Sequence, residues 1–315
     1  MSLILEAPDS IPKKRTPSFR FHLEYTLKCG QIFRWQKNSG GYVGFVDGFP
    51  LYLSQQDTKF TIFPQGDFEA KIGWFLRLDD PLESIVQEWE GDPVLSEAAR
   101  IFEGLRLTRQ NPWICLAGFV LSIVSNIPKI ESSLEKIARH AGEPVQFMNQ
   151  TLYHFPKPEH IARMRESTLR RFGIGFRAKY LRGCAKAIAE GFPLETLRSK
   201  PYEEAKAALM SLPGIGEKVA DCILLYSLDH VEAFPVDVWM KRILEHFYFR
   251  GRQKSEKYLS EWGRDHFGKW AGYAQQYLYT YGRMKLDRQS PFRNLYSGSI
   301  ASTNFSSNSR SAFSI

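Results

Sequence analysis

Ser211-Leu-Pro-Gly-Ile-Gly-Glu-Lys-Val-Ala-Asp221 is the stretch on which the reading of this chain turns. A helix-compatible run from Pro201 to Leu212 ends at Pro213, and Gly214 and Gly216 then flank Ile215. A second run follows from Glu217 to Leu228. Proline after one helix and two glycines in the link predict a tight helix–hairpin–helix. Glycine tolerates positive φ and keeps Cβ atoms away from whatever approaches the turn. The unpaired N–H groups that open the second helix point outward and suit a phosphate. Lys218 falls in that first turn. Farther on, Pro235 breaks the chain, and Asp237 stands where an N-cap belongs, ahead of Val-Trp-Met-Lys-Arg-Ile. A lysine at one helix start and an aspartate at another can converge on one cleft.

Taken singly, each feature is ordinary. A Pro-Gly-x-Gly turn is common, and a non-catalytic DNA-binding hairpin carries the same text. A lysine early in a helix is usually solvated, and an aspartate at an N-cap usually only caps. It is Lys218 just after the second glycine, followed by Pro-Val-Asp237, that points to chemistry.

The 315 residues suit two or three packed units around a sizeable core. No apolar run is long enough to span a bilayer. The opening Met-Ser-Leu-Ile-Leu places its apolar residues before its charges and lacks a cleavage pattern, so a secreted protein is not expected. Cys29, Cys115, Cys184 and Cys222 form no Cys-x-x-Cys pair, which argues against a zinc site or a four-cysteine iron–sulfur loop. Free thiols fit a reducing compartment: cytoplasm or nucleoid in a bacterium, nucleus in a eukaryote. The net charge of +8 favours a polyanionic partner.

From Gly30 to Phe63, runs at Gln31–Gln36, Tyr42–Val46, Leu51–Ser54 and Phe60–Phe63 alternate with turn compositions, predicting an antiparallel meander. Helices follow from Phe68 to Glu90, broken at Asp79-Asp80-Pro81. Residues 1–105 therefore read as an N-terminal α+β domain. Residues 106–287 read as helical throughout, with Pro144 to Pro158 irregular. The run from Pro112 to Val124 is apolar on most sides and predicts a buried central helix. Residues 288–315, rich in Ser and Asn, read as a disordered tail. The fold class is α+β: an antiparallel sheet domain with helices, then a mostly helical domain.

The window from Leu212 to Ile243 resembles the helix–hairpin–helix-GPD superfamily of base-excision DNA glycosylases, and within it the 8-oxoguanine DNA glycosylase/lyases. The likeness extends to Gly30-Gln-Ile-Phe-Arg-Trp35, Arg109-Gln-Asn-Pro112, Gly173-Ile-Gly-Phe-Arg-Ala-Lys-Tyr180 and Trp270-Ala-Gly-Tyr-Ala-Gln275, in the family's order.

The resemblance implies a bifunctional enzyme. Lys218 would displace the base and form a Schiff base with the opened sugar. An amine attacks only when neutral; burial and the helix dipole favour that form, while an ionised Asp237 opposes it. Asp237 would steady the developing sugar cation and relay protons. The Gly30 carbonyl would read N7–H of 8-oxoguanine, Gln275 its Watson–Crick edge, and Cys222 and Tyr279 would sandwich the ring. Without that context, Gly30 reads as a strand-end turn and Tyr279 as core. Gly214, Gly216 and Lys218 would hold phosphate through backbone N–H groups. Lys129 and Arg177 would approach the opposite base. Three positions depart from the family's pattern. Val124 stands where the first of a run of Asn often fills the hole left by the flipped base, with Asn126 kept at the end of that run. Trp239 stands where a His often contacts phosphate, and Tyr279 where Phe is usual. The implied partner is double-stranded DNA containing a damaged purine, bound by a monomer, with no cofactor, metal or membrane. The rival readings are a glycosylase of the same fold for another damaged base, and a non-catalytic hairpin protein.

Overall fold

The computed structural model describes residues 21–56, 59–64, 66, 68–287 and 292. An antiparallel meander, β1 (Gln36–Asn38), β2 (Gly41–Val46), β3 (Phe49–Gln56) and β4 (Lys59–Phe63), follows the short helix α1 (Leu23–Lys28). Asn38 pairs with Gly41 and Val46 with Phe49, leaving two-residue turns. Both turn residues take positive φ, 42° and 81° at Ser39-Gly40 and 50° and 78° at Asp47-Gly48, the geometry that matches strand twist.

Alternation then assigns the faces. Tyr42, Leu51, Leu53 and Phe60 pack with Ile72 and Phe75 of α2 (Glu69–Phe75). Val43, Tyr52 and Phe63 meet Phe147 and Leu152 on the other face. Those two residues belong to a second hairpin, β5 (Pro144–Phe147) and β6 (Gln150–Tyr153). Residues 144–153 are thus not irregular, though 154–157 are, and the second domain is not helical throughout. The turn is Met148-Asn149, at φ 48° and 58°, without the Gly that usually marks such a turn.

The strand expected at Gln31–Gln36 begins only at Gln36. Residues 31–35 divide their side chains between two cores, Phe33 facing the helices and Trp35 the sheet. Buried Gln31 donates to the carbonyls of Thr26 and Arg106, both at 2.8 Å, and so ties α1 to a segment some eighty residues on instead of joining a ladder. Helices α3 (Leu82–Gln87) and α4 (Pro93–Ile101) complete the first domain. Asp92 caps α4 ahead of Pro93, a start signal that the sequence reading passed over.

In the second domain, α5 (Pro112–Leu121) is central, with every residue but Ile114 buried. Around it lie α6 (Ile127–Ala141), α7 (Pro158–Arg163), α8 (Glu166–Leu169) and α9 (Arg177–Ala189). The hairpin pair α10 (Tyr202–Met210) and α11 (Glu217–Ser227) follows, then α12 (Val238–Phe247), α13 (Glu256–Phe267) and α14 (Ala271–Leu286). Among the described residues, no helix is long and apolar enough to cross a membrane. The 288–315 segment lies outside the described residues except for Phe292, which is fully buried.

An ionic cluster locks the two domains together. Asp229 accepts from Arg77 (2.5 Å) and Arg109 (2.7 Å) and pairs with Arg198. Arg77 is 1 % exposed, so its charge depends on these partners and on Asp80 at 3.3 Å.

Candidate active site

The hairpin turn forms as its sequence dictates, though its glycines serve different ends. Gly214 has φ 78°, and a Cβ there would lie 2.3 Å from the Tyr180 ring. Its bareness lets α9 close on the turn. Gly216, at the N-cap of α11, has no neighbour within 4 Å of its Cβ position and no side-chain cap. The N–H groups opening α11 are therefore unhindered, as a phosphate site requires.

Lys218 lies half-buried in the first turn of α11. Its ammonium donates to Ser122 Oγ at 3.1 Å and stands 5.2 Å from the Phe119 ring centre. Both partners come from the end of α5, which ties the hairpin to the central helix. Cys222, one turn on, is buried. Burial pushes its thiol up to about 12 against the pull of Lys218, so it stays a neutral, polarizable surface. Asp237 caps α12 through a bond from Met240 N (2.8 Å). Its carboxylate raises the proton affinity of both Cys222 and Tyr279. Burial, then Asp237, push the Tyr279 phenol well above its usual range, against Arg283.

Gly30 comes to the same place from the first domain. It has φ 89°, and its Cβ position is 3.3 Å from Ile127 Cδ1 and 3.8 Å from both Tyr279 and Phe292. Gln276 Nε2 holds the Cys29 carbonyl at 3.2 Å and so fixes the preceding peptide against α14. Gln275 is 5 % exposed; its amide donates to the Pro235 carbonyl at 3.1 Å and its oxygen faces Tyr226 at 3.5 Å. Gln275 and Tyr279 share the inner face of α14.

The α5–α6 loop edges the opening. Val124 is 86 % exposed with φ 48°, a conformation unfavourable for a β-branched residue. Asn126 caps α6 by accepting from Lys129 N at 3.0 Å, leaving the Lys129 side chain exposed. Arg177 is buried, and its guanidinium bonds the carbonyls of Ile123, Val124 and Ile174. Here it braces the loop that carries Val124. Trp239 lies beside Arg283, 4.3 Å from ring centre to guanidinium.

Sequence reasoning passed over several residues that belong here. Ser122 was legible only as the end of an apolar helix. Arg283, eight residues after Gln275 and four after Tyr279, falls on the same helix face, a signal available in the text. Phe176 is 45 % exposed beside Arg177, and no periodicity marks it. Asp221 is 1 % exposed, bonded to Tyr202 (2.6 Å), Lys206 (3.2 Å) and Ser260 (3.3 Å), and anchors α11 from behind. A groove of about 1130 Å³, bordered by Trp74, Trp113, Phe155 and Arg109, opens at the other end of α5 and touches none of the expected catalytic or base-reading residues.

The structure thus presents a helix–hairpin–helix with a lysine in its second helix, an aspartate capping the helix beyond, and a wall lent by Gly30 of the sheet domain. Residues 11–116 match the N-terminal domain of 8-oxoguanine DNA glycosylase, and 122–265 match the HhH-GPD superfamily base excision DNA repair proteins. An N-glycosylase/DNA lyase of Arabidopsis thaliana is 31% identical, covering 86% of this chain and 80% of its own. The probable N-glycosylase/DNA lyase of Methanothermobacter thermautotrophicus is 29% identical over 87% of this chain and 98% of its own. The Clostridium acetobutylicum 8-oxoguanine glycosylase/lyase, solved with dsDNA containing cytosine opposite 8-oxoG, superposes with a TM-score of 0.82 at 30% identity, covering 88% of this chain and 98% of that one. The chain belongs to the 8-oxoguanine DNA glycosylase family of N-glycosylase/DNA lyases.

Proposed function

We propose that this protein releases oxidised purine, chiefly 8-oxoguanine, from double-stranded DNA and then cuts the same strand, with Lys218 as nucleophile. The observation that carries this reading is the placement of Lys218 in the first turn of α11, held by Ser122 Oγ at the end of α5, with Cys222 one turn on along the same helix. A base inside a duplex is out of reach, so the nucleotide has to swing out of the stack. Its phosphates meet the N–H groups at Gly214, Gly216 and Lys218, and its base enters between Cys222 and Tyr279. Exposed Val124 and Phe176 supply apolar bulk for the vacated stack, with Lys129 and Arg177 on the opposite-base side.

Lys218 Nζ, once neutral, attacks C1′. The N-glycosidic bond breaks, the electron pair leaves with the base, and the base takes up a proton. The sugar ring opens to a Schiff base, loss of a C2′ proton follows, and the 3′ phosphate departs by β-elimination. Asp237 steadies positive character at C1′ and relays protons. N7–H, present in 8-oxoguanine and absent in guanine, donates to the Gly30 carbonyl, and Gln275 reads the Watson–Crick edge. The duplex held by the Clostridium relative supports this choice of ligand.

Borohydride trapping on duplexes carrying 8-oxoguanine or guanine, opposite each of the four bases, tests the reading. A covalent adduct on the lesion duplex alone, lost in Lys218→Gln, is the expected result. Base release without an adduct would make water the nucleophile. Binding with neither outcome would leave a non-catalytic hairpin protein.

A further inference from the structure

Arg283 follows Gln275 and Tyr279 on the inner face of α14. It has one donor on the Tyr279 hydroxyl, Nη1 to Oη at 3.1 Å. Two others reach Asp287 Oδ2, Nε at 3.3 Å and Nη2 at 2.8 Å. Three rings surround the guanidinium, with centres at 4.3 Å (Trp239), 5.8 Å (Tyr279) and 5.5 Å (Phe292). Arg242 approaches the same indole at 5.2 Å. The Arg283 side chain is 14 % exposed and Asp287 16 %.

Each part of this cage needs the others. A phenol offers the guanidinium an acceptor that a phenyl ring does not. An indole offers the best face for a cation. The planar fork of arginine can stack and donate in plane together, which an ammonium cannot do. Trp239 and Tyr279 are thus joined through Arg283. Phe292 closes the cage, and its ring also touches the Gly30 position at 3.8 Å. The cage is thus continuous with the wall that carries the expected base-reading carbonyl.

We propose that Arg283 is a positioning residue that fixes the Tyr279 ring as one wall of the base pocket, acting through the Tyr279 hydroxyl and the Trp239 face. The proposal rests on reading Tyr279 as the surface on which the extruded base stacks. A direct phosphate contact by Arg283 is disfavoured, because its charge is paired with Asp287 and mostly buried.

The test separates a step that needs the base pocket from one that does not. Arg283→Met, Arg283→Lys and Tyr279→Phe are compared with wild type in single-turnover base release and in cutting of a preformed abasic duplex. Loss of positioning is expected to slow base release about tenfold in Arg283→Met while abasic-site cutting stays within about twofold. Arg283→Lys keeps the charge but not the fork, so it should show the same split, less deeply, and it carries the test if Arg283→Met folds poorly. In a Tyr279→Phe background, Arg283→Met should add little further slowing. Release and cutting falling together would overturn the proposal, as would multiplying effects of the two substitutions. Equal weakening of undamaged and abasic DNA binding, with a shallower salt dependence, would make Arg283 a phosphate ligand instead. The comparison uses whichever damaged base the wild-type enzyme releases, so a wrong lesion appears in the wild-type lanes and leaves the split readable.

Discussion

Lys218 Nζ sits 3.1 Å from Ser122 Oγ, linking the start of α11 to the end of α5. The Ser122 hydroxyl spends its own proton on the Phe119 carbonyl at 2.7 Å, so toward Lys218 it is an acceptor. One helix cap therefore aims the amine. Ser122→Ala removes that aim without removing the amine. Schiff-base trapping in single turnover should slow by about three- to tenfold, with the fold intact by circular dichroism. An unchanged rate would show that the hydroxyl does not position the amine.

Asp237 does two things that substitution can separate. It caps α12 through Met240 N, and its carboxylate acts electrostatically on Cys222 and Tyr279. Asparagine keeps the cap and loses the charge; alanine loses both. Asp237→Asn should unfold within ~0.5 kcal/mol of wild type, whereas Asp237→Ala should lose about 1 kcal/mol. Both should be slow in base release. Denaturant unfolding of the three proteins, beside their rates, checks this.

Asp229 makes the domain junction sensitive to acid. Burial alone would raise its pKa, but Arg77, Arg109 and Arg198 outweigh burial and hold it below the usual carboxylate value. A depressed folded value means that its stabilisation is complete above the unfolded value, about 3.9, and is lost as pH falls through the folded one. Wild type should lose melting temperature below about pH 4, and that loss should be smaller in Asp229→Asn. At neutral pH the same substitution should cost about 3 kcal/mol, because it deprives Arg77 of a charged partner. Melting curves across pH 3–7 decide both points.

Val124 holds a β-branched residue at φ 48° with its side chain in solvent. Val124→Asn places a residue tolerant of that region at no loss of packing. It should gain about 1 kcal/mol of stability by denaturant unfolding. The same variant, assayed against each opposite base, shows whether the side chain at this position selects the partner base.

The sequence reached far into this protein wherever structure is set locally. Pro213, Gly214 and Gly216 specify a turn by their own backbone preferences, and Asp237 caps a helix using atoms three residues away. The unbroken apolar run of α5 could only be a buried helix. Lys218 and Asp237 were therefore visible as a pair before any coordinates. Residues joined by distant chain segments were not. The β5–β6 hairpin lacks turn glycine and exists because Phe147 and Leu152 complete a sheet face made about a hundred residues earlier. Gln31 alternates like a strand residue, yet its amide is claimed by Thr26 and Arg106. Arg77, Arg109 and Arg198 look like solvated surface charges until folding gathers them on Asp229. Trp239 reads singly as a lost phosphate contact and Tyr279 as a stacking surface, and only the packing of α12 on α14 brings both to one guanidinium. Backbone preference and helix periodicity are written residue by residue, so the sequence determined them. Desolvated charges, shared hydrogen bonds and ring contacts depend on which distant groups exclude water together, so the tertiary structure decided those.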